Sequence, residues 1–503
     1  MPVADRHRSA LFADSLRTVA GVVLLTALGV APLNYGSTRP VPFETLIALV
    51  ATGGFAWLAA CAFARRWPLP PPAMQIGILL VAAVALAWLL FLPEPALPPF
   101  TRHHYARVAD RWPYSVVPRS QPLLIGWAVS GIIALLALWD LAREAAWRRI
   151  IAGVMIVTGA GVAALGLLQN ATHAAGIYWD HSQRLPGAFF ATFFHHTAAG
   201  AYLNSVWPLG FALALLLIRD GRHRPRKQVA IYGALGCSAL ILVAHAGHVS
   251  RLPQVLAIVT LAAFSLWIGL WAALARVPHL RIGLGLLAVA LVAAAFKFGG
   301  TRIGEIRGRW HQIVWANLAG GGAVATSPPE SAWPRLMRDD LFVPSDHRPY
   351  FLGDRGAAYA AALAAISAQP WFGWGPGGWT AAAAAHSHDA FTRTFYLMLQ
   401  FTHEDYLQTV VEWGLLGALG WALLVPGGLI RAVLRLRLHP ARDFIGAGAV
   451  AALVAVLAQS LIDFPLQLPS LQLNAIALAA LAWSVPAVAT AAQPTPLPFH
   501  ERA

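Results

Sequence analysis

The stretch that decides the fold covers residues 370–420 and reads PWFGWGPGGWTAAAAAHSHDAFTRTFYLMLQFTHEDYLQTVVEWGLLGALG. It begins with a turn rich in glycine and tryptophan, passes through a polar region, and reaches His403-Glu404-Asp405 directly before an apolar helix. Polar residues placed immediately ahead of a long apolar run indicate a point where the chain enters a membrane.

The composition is that of a membrane protein. Hydrophobic residues make up 58% of the 503 residues and charged residues only 12%, and the mean hydropathy is +0.60. The formal charge of +14 comes mostly from arginine. These arginines lie in short clusters between apolar runs, a pattern that favours membrane topology and lipid-phosphate contact over nucleic-acid binding.

Neither the cysteines nor the N-terminus suggests a secreted protein. Cys61 and Cys237 both fall inside apolar runs, so they provide no disulfide framework. Arg6, His7 and Arg8 precede an apolar run that no clear small-residue cleavage site follows. We therefore expect a first transmembrane helix there instead of a removed signal peptide.

Twelve apolar segments are long enough to span a bilayer, which takes about 17–25 residues. They are Leu16–Leu33, Phe43–Ala64, Met74–Leu92, Leu123–Leu141, Ile150–Leu168, Thr197–Ile218, Val229–Ala246, Leu252–Leu274, Ile282–Phe298, Tyr406–Ile430, Phe444–Leu461 and Leu466–Val485.

Short basic clusters occupy alternate connections between these segments, and such connections are cytoplasmic. The clusters are Arg65-Arg66; Arg143, Arg148 and Arg149; Arg219, Arg222, Arg224, Arg226 and Lys227; Arg276 and Arg281; and Arg431, Arg435, Arg437 and Arg442. Both termini are then cytoplasmic, and the long loop after the ninth helix is periplasmic.

The sequence thus predicts an all-α polytopic membrane protein of about twelve transmembrane helices, with a large periplasmic loop between helices nine and ten. Residues 1–298 hold helices one to nine, 299–405 the loop, 406–485 helices ten to twelve, and 486–503 a cytoplasmic tail. Within the loop, residues 354–369 form an amphipathic helix. The glycine-rich turn that follows it is interpreted as a lid or cap.

Arginines on the predicted outer face are candidates for binding phosphate. Arg184 and Arg251 lie beside glycine or serine at helix entrances, and Arg355 lies on the loop helix. A guanidinium group matches phosphate or diphosphate geometry. The simpler alternative is contact with lipid headgroups.

His403 is the candidate general base. Glu404 or Asp405 could orient its ring, Tyr406 adds an interfacial aromatic group, and Glu412 is an ionisable residue inside the following span. A solvent-capped interfacial histidine is the alternative. His196 precedes the sixth span together with His195 and is a candidate supporting residue.

Other motif matches fail in their context. Gly373, Gly375 and Gly378 fit G-x-G-x-x-G, but Pro376 interrupts the motif and no strand precedes it. Leu407 occupies the second histidine position of H-E-x-x-H. The histidine pairs elsewhere lack matched acidic or cysteine ligands, so the sequence predicts neither a metal nor a cofactor.

The candidate residues, taken in order, resemble the O-antigen ligase family, which also includes O-antigen polymerase-like proteins and O-linked oligosaccharyltransferases. The resemblance rests on Arg184-x-x-Gly187-x-Phe189 before a helix entrance; Ser250-Arg251; Arg355 with Pro370-x-x-Gly373-x-Gly375; and His403-x-x-Tyr406-Leu407-Gln408 with Glu412-x-Gly414-x-x-Gly417. One departure is His195-His196, where the family pattern has an Asn-rich entrance.

The resemblance implies glycosyl transfer at the periplasmic face of a bacterial inner membrane. The donor would be an undecaprenyl-diphosphate-linked glycan, with Arg184 and Arg251 holding the diphosphate and His403 assisting the acceptor. The acceptor would be lipid A core, a growing glycan or a protein hydroxyl, which correspond to a ligase, a polymerase or an oligosaccharyltransferase. A transporter with an anion site is the alternative from a different class.

Overall fold

The computed structural model describes residues 3–91, 121–180, 189–221, 225–248, 250–274, 353–386, 401–437 and 439–486. Within these ranges the regular structure is helical, and Phe190 and Phe193 form one isolated β-bridge. The predicted all-α class is therefore confirmed for the described part of the chain.

The helices are numbered here in chain order. They are α1 (Val3–Leu33), α2 (Pro40–Ala64), α3 (Pro72–Leu90), α4 (Gln121–Leu141), α5 (Ala145–Ala171), α6 (His196–Asn204), α7 (Trp207–Arg219), α8 (Pro225–Gly247), α9 (Arg251–Leu274), α10 (Gly353–Ala368), α11 (Trp379–His386), α12 (Asp405–Leu424), α13 (Pro426–Leu436), α14 (Phe444–Gln459) and α15 (Pro469–Trp483).

Among the described residues, nine helices are long and apolar enough to cross a membrane, counting α6 with α7 and α12 with α13. The predicted eleventh and twelfth spans correspond to α14 and α15, which have only 16 and 15 residues. The predicted ninth span, Ile282–Phe298, lies outside the described residues. The total of twelve and the position of the long loop stay predictions.

The sixth predicted span is two helices. α6 ends at Asn204 and α7 begins at Trp207, with Pro208 in its first turn. A proline there lacks the N–H that a continuous helix would need at that position. Hydropathy could not reveal this break because both halves are apolar.

Helices α14 and α15 form the interior of the bundle. Nearly every residue of both is buried, including Leu453, Asn474 and Trp483. α14 contacts α7 and α13, and α15 contacts α4 and α13. A helix that is buried on all sides faces protein instead of lipid.

One end of the bundle carries the basic connections and is called the arginine end. There Arg17 pairs with Asp140 at 3.0 Å, Arg149 pairs with Asp220 at 2.7 Å, and the buried Arg148 pairs with Asp443. These residues come from five helices or their flanking turns. The connections before α5, after α7 and before α14 therefore lie together, and their cytoplasmic orientation stays a prediction.

The opposite end carries His195, His248 and His403 and is called the histidine end. The Thr192 hydroxyl donates to the Pro32 carbonyl at 2.5 Å. The Asn170 amide donates to the Gly247 carbonyl at 2.7 Å. These contacts join the connections that follow α1, α5 and α8.

Helix α12 is broken at Gly414, which has φ +63° and ψ 179°. Residues 370–374 fill the break. The Trp374 N–H donates to the Val411 carbonyl at 2.7 Å, and the Leu415 N–H donates to the Pro370 carbonyl at 2.7 Å. Backbone groups freed in an apolar interior need such partners.

The glycine-rich turn is thus built into a membrane helix and not only placed above it. A Cβ atom on Gly414 would lie 2.2 Å from the Trp371 carbonyl oxygen, and one on Gly373 would lie 2.5 Å from the Gly414 nitrogen. Only glycine allows this approach of the two backbones. The interpretation of this turn as a lid did not include its attachment to α12 at Gly414.

Helix α10 matches the predicted amphipathic helix of the loop. Its buried face consists of small residues, Ala358, Ala361, Ala362 and Ala365, which pack near Trp379 and Val411. Leu363 is 57% exposed. Alanines allow α10 to approach α11 and α12 closely. The periodicity predicts an apolar face of Tyr359, Leu363 and Ile366, and the exposure of Leu363 shows that this prediction is wrong for that residue.

We predict that Gly414→Ala lowers the unfolding free energy by more than about 1 kcal/mol, because alanine is strained at positive φ. The matched control is Gly161→Ala on α5, where an added Cβ meets nothing within 4 Å. Thermal unfolding of the detergent-solubilised variants, followed by tryptophan fluorescence, measures both. Equal melting temperatures for the two variants would contradict the role of Gly414.

Candidate functional site

His403 occupies a tight turn ahead of α12 and has a left-handed backbone conformation with φ +59°. The Thr402 hydroxyl closes this turn, donating to the Glu404 carbonyl at 2.5 Å and accepting the Glu404 N–H at 3.1 Å. Non-glycine residues held in this conformation occur frequently at functional sites. The turn therefore fixes the backbone from which the His403 side chain projects.

Glu404 is the N-cap of α12. Its carboxylate accepts the N–H of Tyr406 at 3.1 Å and that of Leu407 at 2.5 Å. Burial raises the pKa of Glu404, while these two backbone hydrogen bonds lower it. Stabilisation of the helix N-terminus is a sufficient reason for this carboxylate.

Asp405 holds the connection between α14 and α15. Its carboxylate accepts the Leu466 N–H and the Gln467 amide, both at 2.9 Å, and its own N–H donates to the Ser460 carbonyl at 3.0 Å. The side chain is almost fully buried. These contacts fix the turn that carries Phe464.

The two acidic residues therefore have structural partners. The hydrogen bonds described for their carboxylates go to backbone and amide groups. These contacts do not support the prediction that Glu404 or Asp405 orients the His403 ring. It stays a prediction.

Phe464 contacts several aromatic side chains at the histidine end. Its ring meets the edge of His403 at a centroid distance of 5.0 Å, stacks on Phe401 at 4.5 Å, and lies 5.8 Å from His195. His195 in turn stacks on His196 at 4.9 Å. The structure thus brings His403 and the helix entrance at His196 together, although about two hundred residues separate them.

Arg251 is the half-buried first residue of α9 and lies at the same end. The Asn204 amide at the end of α6 donates to the Pro253 carbonyl at 2.8 Å, which joins α9 to α6. Arg184 lies outside the described residues. Arg355 lies in α10, and its side chain is outside the described part.

Glu412 connects α12 to the glycine-rich turn. Its carboxylate accepts the Gln408 amide at 3.0 Å and the backbone N–H groups of Gly377 and Trp379. Gln408 also accepts the Thr402 N–H at 3.1 Å. An ionisable group at this depth needs such partners, and here they make Glu412 a support for α11.

A cavity of about 600 Å³ lies along α12, on the side that faces α4 and α15. Gln121, Gln408 and Glu412 contribute polar groups near the histidine end, whereas Leu419 and Val425 line the apolar remainder. The lining residues extend along α12 from Asp405, past the break at Gly414, to Pro426 at the start of α13.

The cavity begins beside the His403 turn. Phe401, Asp405 and Tyr406 line it, and the described lining does not include His403 itself. Tyr406 donates its hydroxyl to the Leu457 carbonyl at 2.7 Å. A polar end and a long apolar body are the features required to hold an amphipathic lipid.

In the part of the chain that the structure describes, no group of three or more histidine, cysteine, aspartate or glutamate side chains is arranged to hold a metal ion. The sequence predicts that turnover does not require a metal ion. A chelation experiment tests that prediction.

Sequence reasoning missed three residues that organise the site. His245 and His248 are buried at the end of α8, and Phe464 makes the long-range aromatic contacts described above. Polar side chains inside an apolar run were the available signal for the two histidines. Phe464 gave no signal, because an aromatic residue near a membrane boundary is ordinary.

The fold and the site define a polytopic helical membrane protein with a polar, histidine-containing site at one end and a largely apolar cavity beside it. Residues 236–422 match the O-antigen ligase family model. The matched region includes Arg251, the glycine-rich turn, His403 and Glu412. No curated protein matches the chain.

This match confirms the resemblance to the O-antigen ligase family over residues 236–422. That family consists of membrane glycosyltransferases of the O-antigen ligase and polymerase type, so the match supports an activity of this class.

We predict that Asp405→Ala destabilises the protein, because the Leu466 N–H would be left without its acceptor. An unsatisfied buried group costs about 1–3 kcal/mol. Asp14→Ala, at an exposed position on α1, is the control and should change stability by less than about 0.5 kcal/mol. A thermal unfolding experiment in detergent compares the two, and equal effects would refute the role assigned to Asp405.

Proposed function

We propose that the protein transfers a glycan from an undecaprenyl-diphosphate carrier to an acceptor hydroxyl at the periplasmic face of a bacterial inner membrane, with both termini in the cytoplasm. The observation that carries the proposal is His403, held in a locked left-handed turn at the end of the bundle where Arg251 also lies. The family match over this region supports it.

His403 acts as the general base in this proposal. The acceptor oxygen forms a bond to the anomeric carbon of the donor glycan while the bond from that carbon to the diphosphate oxygen breaks. The acceptor proton passes to the His403 ring, and undecaprenyl diphosphate leaves. A single displacement inverts the anomeric configuration, and general-base assistance contributes a factor of about 10²–10⁴ in rate.

Arg251 is proposed to hold the diphosphate, together with Arg184 and Arg355. A lipid diphosphate is already a good leaving group, so it needs neutralisation of its charge more than it needs a proton. Guanidinium groups supply that charge without a metal. The position of Arg251 at the first turn of α9 adds the helix N-terminus, which also favours anions.

The cavity along α12 is suited to a lipid chain. Its apolar part follows α12 beyond Gly414, from Leu415 towards Val425, and its polar end lies beside the His403 turn. A lipid held there would keep its head group close to the proposed base. This supports a lipid-linked substrate for the site.

The acceptor is proposed to be lipid A core, as in a ligase. Extension of a glycan on its own carrier and transfer to a protein hydroxyl use the same donor chemistry and are the alternatives. The three acceptors compete directly in an assay with purified protein.

Transport is the less favoured proposal. The broken helix α12 is a feature that transporters share. In this structure, however, backbone groups of residues 370–374 form hydrogen bonds with α12 on either side of Gly414. These backbone groups of α12 are therefore not left to bind an ion.

We predict that His403→Ala and His403→Asn both reduce glycan transfer by about 10²–10⁴-fold. Asparagine tolerates the left-handed conformation, so equal losses would identify the missing ring as the cause. His173→Asn is the matched control, because His173 is an exposed histidine at the same end with φ +50°. Transfer from the lipid-linked donor is measured in reconstituted membranes with a defined acceptor.

Normal turnover by both His403 variants would overturn the assignment of His403 as the base. A loss in His403→Ala alone would assign its role to the backbone turn.

We also predict that turnover persists when divalent cations are removed with EDTA, because arginine charge replaces a metal in the proposed mechanism. The measurement is the initial rate in reconstituted membranes before and after chelation. A rate that is abolished by EDTA and restored by added Mg²⁺ or Mn²⁺ would contradict the prediction.

A further inference from the structure

Two buried histidines precede Arg251, and the proposed chemistry uses neither of them. His245 and His248 lie at the end of α8, with side chains that are 4% and 1% exposed. Their rings are hydrogen-bonded through His245 Nδ1 and His248 Nε2 at 2.9 Å. Burying two ionisable rings is costly, so this pair needs a reason.

The hydrogen bonds determine the tautomers. The Ser250 backbone N–H, which can only donate, lies 3.3 Å from Nδ1 of His248. His248 Nδ1 is therefore unprotonated, and its Nε2 carries the hydrogen that it donates to His245 Nδ1. Both rings are neutral in this arrangement, and His248 bonds directly to the residue before Arg251.

The surroundings keep His248 neutral. The titratable groups whose charge acts on it are His245 on α8 and His196 on α6. Burial, together with the rings of His245 and His196, lowers the pKa of His248 well below its ordinary range. A protonated His248 could not accept the Ser250 N–H, so neutrality preserves this contact.

The ring also fits tightly between neighbouring elements. Phe190 meets it edge to face at a centroid distance of 5.8 Å. A Cβ atom on Gly200 would lie 3.2 Å from its Cε1 atom. Displacement of the ring would therefore disturb α6 as well as α8.

Further contacts hold the backbone of the same turn. The Gln254 amide donates to the carbonyls of His245 and His248 at 2.9 and 2.8 Å. The Asn170 amide donates to the Gly247 carbonyl at 2.7 Å. The turn from α8 into α9 is thus fixed from α5 and from α9 itself.

We propose that His248 is a positioning residue for Arg251: its Nδ1 atom holds the Ser250 N–H and so sets the first turn of α9, which presents the guanidinium to the donor diphosphate. This inference rests on the proposed function of Arg251. Preorganisation of a charged group in this way preserves binding energy that would otherwise be lost in ordering it.

Two substitutions at His248 separate its contacts. In His248→Asn, the amide oxygen replaces Nδ1 as the acceptor for Ser250. In His248→Gln, the longer amide reaches the Nε2 position near His245 and leaves the Ser250 N–H without its acceptor. The binding of undecaprenyl diphosphate to the full-length protein in nanodiscs is measured for both, with Arg251→Ala as the reference.

We expect His248→Asn to bind within about threefold of the unsubstituted protein and His248→Gln to bind about tenfold more weakly, as for the loss of one buried hydrogen bond. Equal binding by the two variants, or equal losses, would overturn the inference. If His248→Gln does not fold, Gln254→Ala tests the same turn. It should weaken binding about tenfold, and unchanged binding would overturn the inference.

The Arg251→Ala variant separates a failure of the diphosphate role of Arg251 from a failure of the positioning role of His248. Unchanged binding in Arg251→Ala would refute the diphosphate role of Arg251, and with it the proposed function of this residue. Weaker binding in Arg251→Ala combined with unchanged binding in His248→Gln would refute the positioning role alone.

Discussion

The break in α12 at Gly414 is the constraint on which much of the structure depends. A membrane helix that changes direction frees N–H and C=O groups where water is absent, and each would cost several kcal/mol if left unpaired. Here Pro370, Trp371 and Trp374 supply the partners. The segment before α12 therefore cannot leave without exposing polar backbone in the membrane.

Further parts of the structure depend on this insertion. Insertion of the turn places the N–H groups of Gly377 and Trp379 against Glu412, which holds α11. α10 packs its alanine face near Trp379. The half of α12 before Gly414 carries the His403 turn and one wall of the cavity. The geometry of the candidate site is thus linked to a glycine eleven residues further along the chain.

Length and hydropathy were sufficient to predict most of the helices. Long apolar runs identified α2 to α5 to within about five residues at each end, because a membrane span must be apolar over a nearly fixed length. For α1 they identified the end at Leu33 but not the start at Val3. The same argument could not detect the breaks at Ser205 and Gly414, since residues on both sides of each break are apolar. It also could not distinguish lipid-facing from interior helices.

The candidate site was predictable in part. A local pattern identified His403 and Arg251, because polar residues next to apolar runs are unusual enough to be noticed. The partners of Glu404 and Asp405 were not predictable, since the Asp405 contacts join residues about sixty positions apart. Long-range contacts of this kind depend on tertiary packing. In a single sequence, they are indicated only at positions that require glycine, such as Gly373 and Gly414.

A transferase of the proposed kind must hold its base and its diphosphate site in a fixed relation, to within about 0.5 Å. Helix α6 supplies a common reference for both. Its Asn204 holds the Pro253 carbonyl of α9, and the Thr197 carbonyl accepts the Gln459 amide of α14 at 3.0 Å. α14 leads into the turn that Asp405 fixes and that carries Phe464 against His403. The two candidate functional groups are therefore positioned by contacts that meet on one buried helix, without requiring a direct contact between them.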